Sequence, residues 1–141
     1  GESTISEDTA PTPSTSSNVT VTGGYSKIKL SFRRNPLFEW KGTWGKIETI
    51  YYTIENGEAG SIAPGKFVVI LEGYPDPVER PVPKIDALME EGEKAEHGFG
   101  VGTSYSETVT DPTSLKLTLQ LLDKQGQLMA SVEKEFNLKS G

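Results

Sequence analysis

Few residues of this chain are of a type that could carry out chemistry, and their spacing restricts what that chemistry could be. His97 is the sole histidine and there is no cysteine. A zinc site built from nitrogen and sulfur ligands therefore lacks its donors. Thiolate nucleophiles and disulfides are excluded on the same count. His97 also has no Ser and Asp placed in a pattern that would frame a hydrolytic triad. Carboxylates are plentiful at Glu48, Glu55, Glu72 and Glu107, but no spacing singles out the acid and base pair that glycoside cleavage requires. The acidic run Asp86–Glu96 (DALMEEGEKAE) lacks the alternating Asp/Asn and the glycine placement of a calcium loop, and reads as a solvated face. Gly98-Phe99-Gly100-Val101-Gly102 is rich in glycine, yet no Gly-Lys-Ser/Thr follows it, so it is not a phosphate loop. It reads as a flexible approach to the next strand. The expectation is a protein that is not an enzyme, with no catalytic residue, cofactor or metal.

Binding chemistry has better candidates. Trp40 and Trp44 fall within LFEWKGTWG (37–45), a segment with two glycines and no clear period, which reads as a loop or a distorted strand pair. Rigid aromatic faces stack on sugar rings, so Trp40 and Trp44, with Tyr51 and Tyr74, are candidate platforms for a glycan or another partner. The alternative is that these rings cap the end of the core. Asn18-Val19-Thr20 is a single N-x-S/T triplet, which makes Asn18 a candidate glycosylation site in a secreted protein.

The elements that must hold these residues are read from pattern. Lys27–Arg33 alternates, with Ile28, Leu30 and Phe32 on one face. Ile47–Ile54 is β-branched or aromatic at all but Glu48, and Ile50, Tyr52 and Ile54 share its better core face. Phe67–Leu71 is apolar on both faces and is expected to be covered from both sides. Between these two, Glu55-Asn56-Gly57 and a Gly/Pro-rich loop predict that they fold back on each other as a hairpin. Tyr74–Pro83 has four prolines in ten residues and reads as an extended connection or exposed edge. Such an edge could take a strand from a neighbour. Asp86–Glu96 predicts a short helix capped by Asp86. Ser104–Thr110 is a polar strand with Tyr105 and Val109 facing the core, and Asp111–Ser114 is a turn. Leu115, Leu117, Leu119 and Leu121 alternate on one face. Asp123–Gly126 then turns the chain into a last strand, with Leu128, Ala130 and Val132 inward, Phe136 and Leu138 in phase, and Lys134 the one break.

Composition sets the frame around these elements. The 141 residues fit one domain with appendages, and net charge is −6. Glu2, Glu7 and Asp8 place −3 of it in residues 1–18, and residues 86–96 hold another −4. The rest of the chain is close to neutral, so neither the total nor the distribution suits nucleic acid. Residues 1–18 include eleven Ser, Thr or Pro and one large aliphatic, Ile5. They read as a disordered tether in the manner of a surface stalk, or as an arbitrary flexible terminus. Residues 19–141 form the folded domain, with Val19–Thr22 as a short edge strand. No apolar run reaches the roughly 18 residues of a membrane helix.

About seven strands at short spacing, with one short helical insertion, predict an all-β fold: an antiparallel immunoglobulin-like β-sandwich. Tyr52–Gly57 followed by Phe67–Gly73, with the closing pattern over Asp123–Leu138, resembles CARDB-type and related immunoglobulin-like domains of prokaryotic, including archaeal, surface lipoproteins and cell-surface proteins. The resemblance covers about 40 residues and its motifs are structural. It implies a non-catalytic extracellular module for protein interaction, adhesion, or envelope or filament assembly. That module would be tethered at its N-terminus through an anchor absent from this chain. The alternative is a carbohydrate-binding module using Trp40 and Trp44. The partners expected are a protein or a cell-envelope glycan.

Overall fold

The structure, a computed structural model, describes Val21 and residues 24–139. The tether at 1–18, the Asn18 triplet and most of the proposed Val19–Thr22 strand lie outside the described residues. Eight strands are present among those described: β1 (Ile28–Phe32), β2 (Leu37–Trp40), β3 (Trp44–Asn56), β4 (Pro64–Leu71), β5 (Val78–Pro81), β6 (Lys94–Ser106), β7 (Leu115–Asp123) and β8 (Leu128–Phe136).

All pairings are antiparallel and form two sheets. In the first sheet β3 is central, with β1 and β2 sharing one side of it and β6 running along the other. The second has the order β5-β4-β7-β8. The chain changes sheet from β3 to β4, from β5 to β6 and again from β6 to β7, so the sandwich has Greek-key connections of immunoglobulin-like type. Its core is the inner face of both sheets. Ile50, Tyr52 and Ile54 of β3 meet Phe67 and Val69 of β4 and the leucines at 115, 117, 119 and 121 of β7, all of them fully buried. Each such side chain contributes about 1.5–3 kcal/mol on leaving water. The Phe67 and Phe99 rings stack across the sandwich with centroids 4.5 Å apart.

Five local expectations are corrected. First, β3 and β4 are not a hairpin. They lie in opposite sheets and pack face to face, with Tyr52 and Phe67 centroids 4.6 Å apart. Asn56 makes the crossing instead of a tight turn, and no non-glycine residue among those described has a positive φ. Its buried amide donates to the carbonyls of Gly60 at 2.9 Å and Glu90 at 3.0 Å, and its Oδ1 accepts from the Glu58 N–H at 3.0 Å.

Second, the helical insertion is one 3₁₀ turn at Lys84–Asp86, not a helix over 86–96. Asp86 is drawn inward, and the chain is extended again from Lys94. Third, the Gly98–Gly102 run is strand, inside β6, with Phe99 and Val101 buried. Fourth, the strand through Tyr105 ends at Ser106, which leaves Val109 49% exposed. Fifth, a bulge shifts the β7–β8 register between Leu121 and Leu122. It turns Met129 inward and leaves Leu128 53% exposed. A bulge adds one residue to one strand, which reverses the alternation at its start.

Elsewhere the pattern holds. The Pro-rich segment provides β5, an edge strand paired only with β4, and Asp111 caps the 3₁₀ turn Pro112–Ser114.

Candidate functional site

Tyr52 and His97 are cross-strand neighbours on β3 and β6, so their side chains leave the first sheet on the same inner face. Asp86 comes in from the connection between β5 and β6. Its carboxylate Oδ2 accepts from the Tyr52 hydroxyl at 2.6 Å and from His97 Nδ1 at 2.8 Å. Tyr52 is fully buried, Asp86 is buried and His97 is half-buried. Burial, then the hydrogen bond to Asp86 and its charge, hold the Tyr52 hydroxyl far above the ordinary tyrosine range.

The Asp86–His97 bond has the form of the orienting half of a catalytic triad, in which a buried carboxylate fixes the imidazole. Among the described residues no hydroxyl is hydrogen-bonded to that ring, and no group of three His, Cys, Asp or Glu is placed to hold a metal ion. What the cluster does is pin a loop. Around it, Val82 N–H donates to the Gly65 carbonyl, Ile62 and Met89 exchange backbone bonds at 2.8 and 2.9 Å, and Asn56 grips Glu90. With Asp86 and Met89 anchored inward, the residues just before each of them, Ile85 and Leu88, point outward, 68% and 54% exposed.

The four aromatic candidates are not brought together. Trp40 lies opposite Gly45, which lies opposite Tyr105, so all three face inward. The Trp40 and Tyr105 rings meet with centroids 6.0 Å apart. Gly45 is the only residue that fits between them, because a Cβ there would sit 2.5 Å from the Tyr105 ring. Trp44, next in the chain to Gly45, points to the opposite face and is 42% exposed. Tyr74 is half-buried, and its hydroxyl accepts from the Ser106 N–H at 2.7 Å. Tyr51 is on the outer face opposite Gly98. Its ring lies against that glycine, where an added Cβ would sit 2.9 Å from Cδ1.

Sequence reasoning missed two partnerships. The Tyr52 hydroxyl, on a strand position read as core, needed a buried acceptor, and that requirement pointed to an inward carboxylate. The adjacent pair Arg33-Arg34 also went unremarked, though it flanks the outer face that carries Tyr51. No helix among the described residues is long and apolar enough to cross a membrane. No family model and no curated protein matches the chain. Among solved structures it is similar to a domain of the outer membrane lipoprotein Omp28 from Porphyromonas gingivalis. The identity is 16%, over 88% of this chain and 99% of that one, with a TM-score of 0.37.

Proposed function

We propose that this chain is a non-catalytic interaction module of the cell surface or envelope, and that the turn between β5 and β6 is its contact with a protein partner. The observation that carries this is the use made of Asp86. A buried carboxylate is costly unless it is paired. Here its two bonds hold in place a short turn whose outward side chains, Ile85 and Leu88, are large and aliphatic. Rigid presentation of apolar groups lowers the ordering cost of binding. The neighbouring Glu90 and Glu91 are exposed and give the turn an acidic rim, which suits an apolar pocket bordered by basic residues. The surface location rests on the Ser/Thr/Pro-rich composition of residues 1–18 and on the resemblance to surface-protein domains. The carbohydrate reading is the weaker one, because of its four aromatic candidates only Trp44 stands well clear of its neighbours.

A photo-reactive amino acid placed at 85 or 88 in cells tests the proposal. Cross-linking to one discrete protein from both positions, absent from position 124 and lost with Asp86→Asn, is the expected result. Equal cross-linking from position 124, or none from 85 and 88, rejects it. Turnover of a peptide or glycan by the purified domain would also reject it.

A further inference from the structure

We infer that Arg33, Arg34 and Tyr51 form a binding site for the pendant carboxylates of an acidic polysaccharide, on the outer face of the first sheet. This does not depend on the role given to the β5–β6 turn.

The site is assembled on a glycine. Tyr51 lies across Gly98, and the backbone there leaves no space for a larger residue, since a Cβ would also be 3.1 Å from the Ile50 carbonyl. The next outward position on that side, Gly100, has only the Glu48 carbonyl within 4 Å, at 3.9 Å, so bare backbone continues beside the ring. The connection from β1 to β2 brings both arginines over this ring. The Arg34 guanidinium is 4.0 Å from its centroid and that of Arg33 is 5.6 Å away. Arg33 also reaches over the strand to donate to the Glu96 carbonyl at 3.3 Å.

Two guanidinium groups are thus held to one half-buried ring, where each repels the other. Among the described residues neither arginine is ion-paired with a carboxylate. The carboxylates of Glu39, Glu48 and Glu96 are each taken by a lysine, at 3.4, 3.8 and 3.8 Å from Lys41, Lys46 and Lys94. Every ion pair among the described residues uses lysine or histidine as its cation, and none uses arginine. The two exposed arginines therefore stand outside the ion pairs of the described residues. A planar guanidinium matches a carboxylate through two parallel N–H···O bonds, and an oxyanion between the two groups would relieve their repulsion. A sugar polymer is favoured over an acidic peptide because the bare backbone at Gly98 and Gly100 leaves a flat strip beside the Tyr51 ring, on which a sugar ring can lie.

Affinity electrophoresis of the full chain in gels containing polygalacturonate, dextran or poly-L-glutamate tests the site at physiological salt. Retardation by polygalacturonate alone is expected. Arg33→Ala and Arg34→Ala should each weaken it about tenfold or more, the worth of a charge-assisted bond pair. Lys124→Ala, which removes the same charge from an exposed turn, should leave it unchanged. Arg34→Lys keeps the charge but loses the planar fork, and should fall between Arg34→Ala and the parent; it also serves if the alanine variant does not fold. Three outcomes overturn the proposal: no retardation, equal retardation of Arg34→Ala and Lys124→Ala, or retardation by poly-L-glutamate as strong as by polygalacturonate.

Discussion

The Tyr52 hydroxyl and the Asp86 carboxylate, 34 positions apart in sequence, meet at 2.6 Å inside the sandwich, and this contact ties the β5–β6 connection to the central strand of the first sheet. Tyr52→Phe keeps the ring packed against Phe67 and removes only the donor. The buried carboxylate would then rely on His97 alone, and a destabilisation of about 1–3 kcal/mol is expected. Urea unfolding measures it. An unchanged midpoint would mean that the contact contributes nothing to folding. Because the tie is local, limited proteolysis should also speed up within residues 84–93 before the rest of the chain is cut.

Gly45 predicts a larger effect from a smaller change. A single methyl there would meet the Tyr105 ring at 2.5 Å and the Glu39 carbonyl at 2.9 Å. One of these obstacles is backbone, so rotating a side chain cannot clear both. Gly45→Ala should cost about 1–3 kcal/mol, as overpacking does. It should also shift the emission of Trp40, whose ring packs on the same tyrosine. Gly126→Ala makes a contrast of another kind, since nothing lies within 4 Å of its added Cβ and only the φ of +87° opposes it.

Asp123 supplies a pH dependence. Burial pushes its carboxyl up, but the Tyr25 hydroxyl at 2.6 Å and the backbone N–H groups of Gln127, Gln125 and Gly126 outweigh burial and hold it below the usual carboxylate range. A group whose pKa is depressed by folding stabilises the protein above its unfolded value, about 3.9. That stabilisation is lost as pH falls through the lower folded value. The stability difference between the parent and Asp123→Asn should therefore be full at pH 7 and shrink below about pH 4. Tyr25→Phe should raise the folded pKa and reduce the difference. Urea midpoints across this range decide it, and a difference independent of pH would refute the assignment.

Much of this fold was legible because local pattern and tertiary role agree. Leu115, Leu117, Leu119 and Leu121 alternate in sequence and all end fully buried. The prolines of 74–83 denied that segment a central place, and β5 is an edge. What failed were the statements that depend on a distant partner. An apolar strand followed by Asn-Gly and another apolar strand suits a hairpin and a sheet crossing equally well. The bond from the Asn56 amide to the Glu90 carbonyl, 34 positions away, favours the crossing. The acidic run from Asp86 has good helix caps, but two hydrogen bonds in the core outweigh a propensity worth tenths of a kcal/mol per residue. For the same reason the sequence offers His97 no frame: its partner carboxylate reads as the start of a solvated helix.

The two tryptophans separate the remaining readings most directly. They are four residues apart on one hairpin, yet Trp40 packs on Tyr105 beneath the sheet while Trp44 stands outside it. Trp40→Phe should then destabilise the domain by about 1–3 kcal/mol through lost ring contact. Trp44→Phe should change stability by under about 0.5 kcal/mol, as surface substitutions do. Acrylamide should quench the Trp40→Phe variant, which retains Trp44, more strongly than the Trp44→Phe variant. Adding neutral glycans during the titration tests the stacking role of Trp44 by itself. Protection of Trp44 by dextran or another neutral polymer would restore the carbohydrate-binding module on one aromatic platform. Protection by polygalacturonate alone would place the ligand's charge, not its ring faces, in control of recognition, and would extend the arginine site along the outer face of β3.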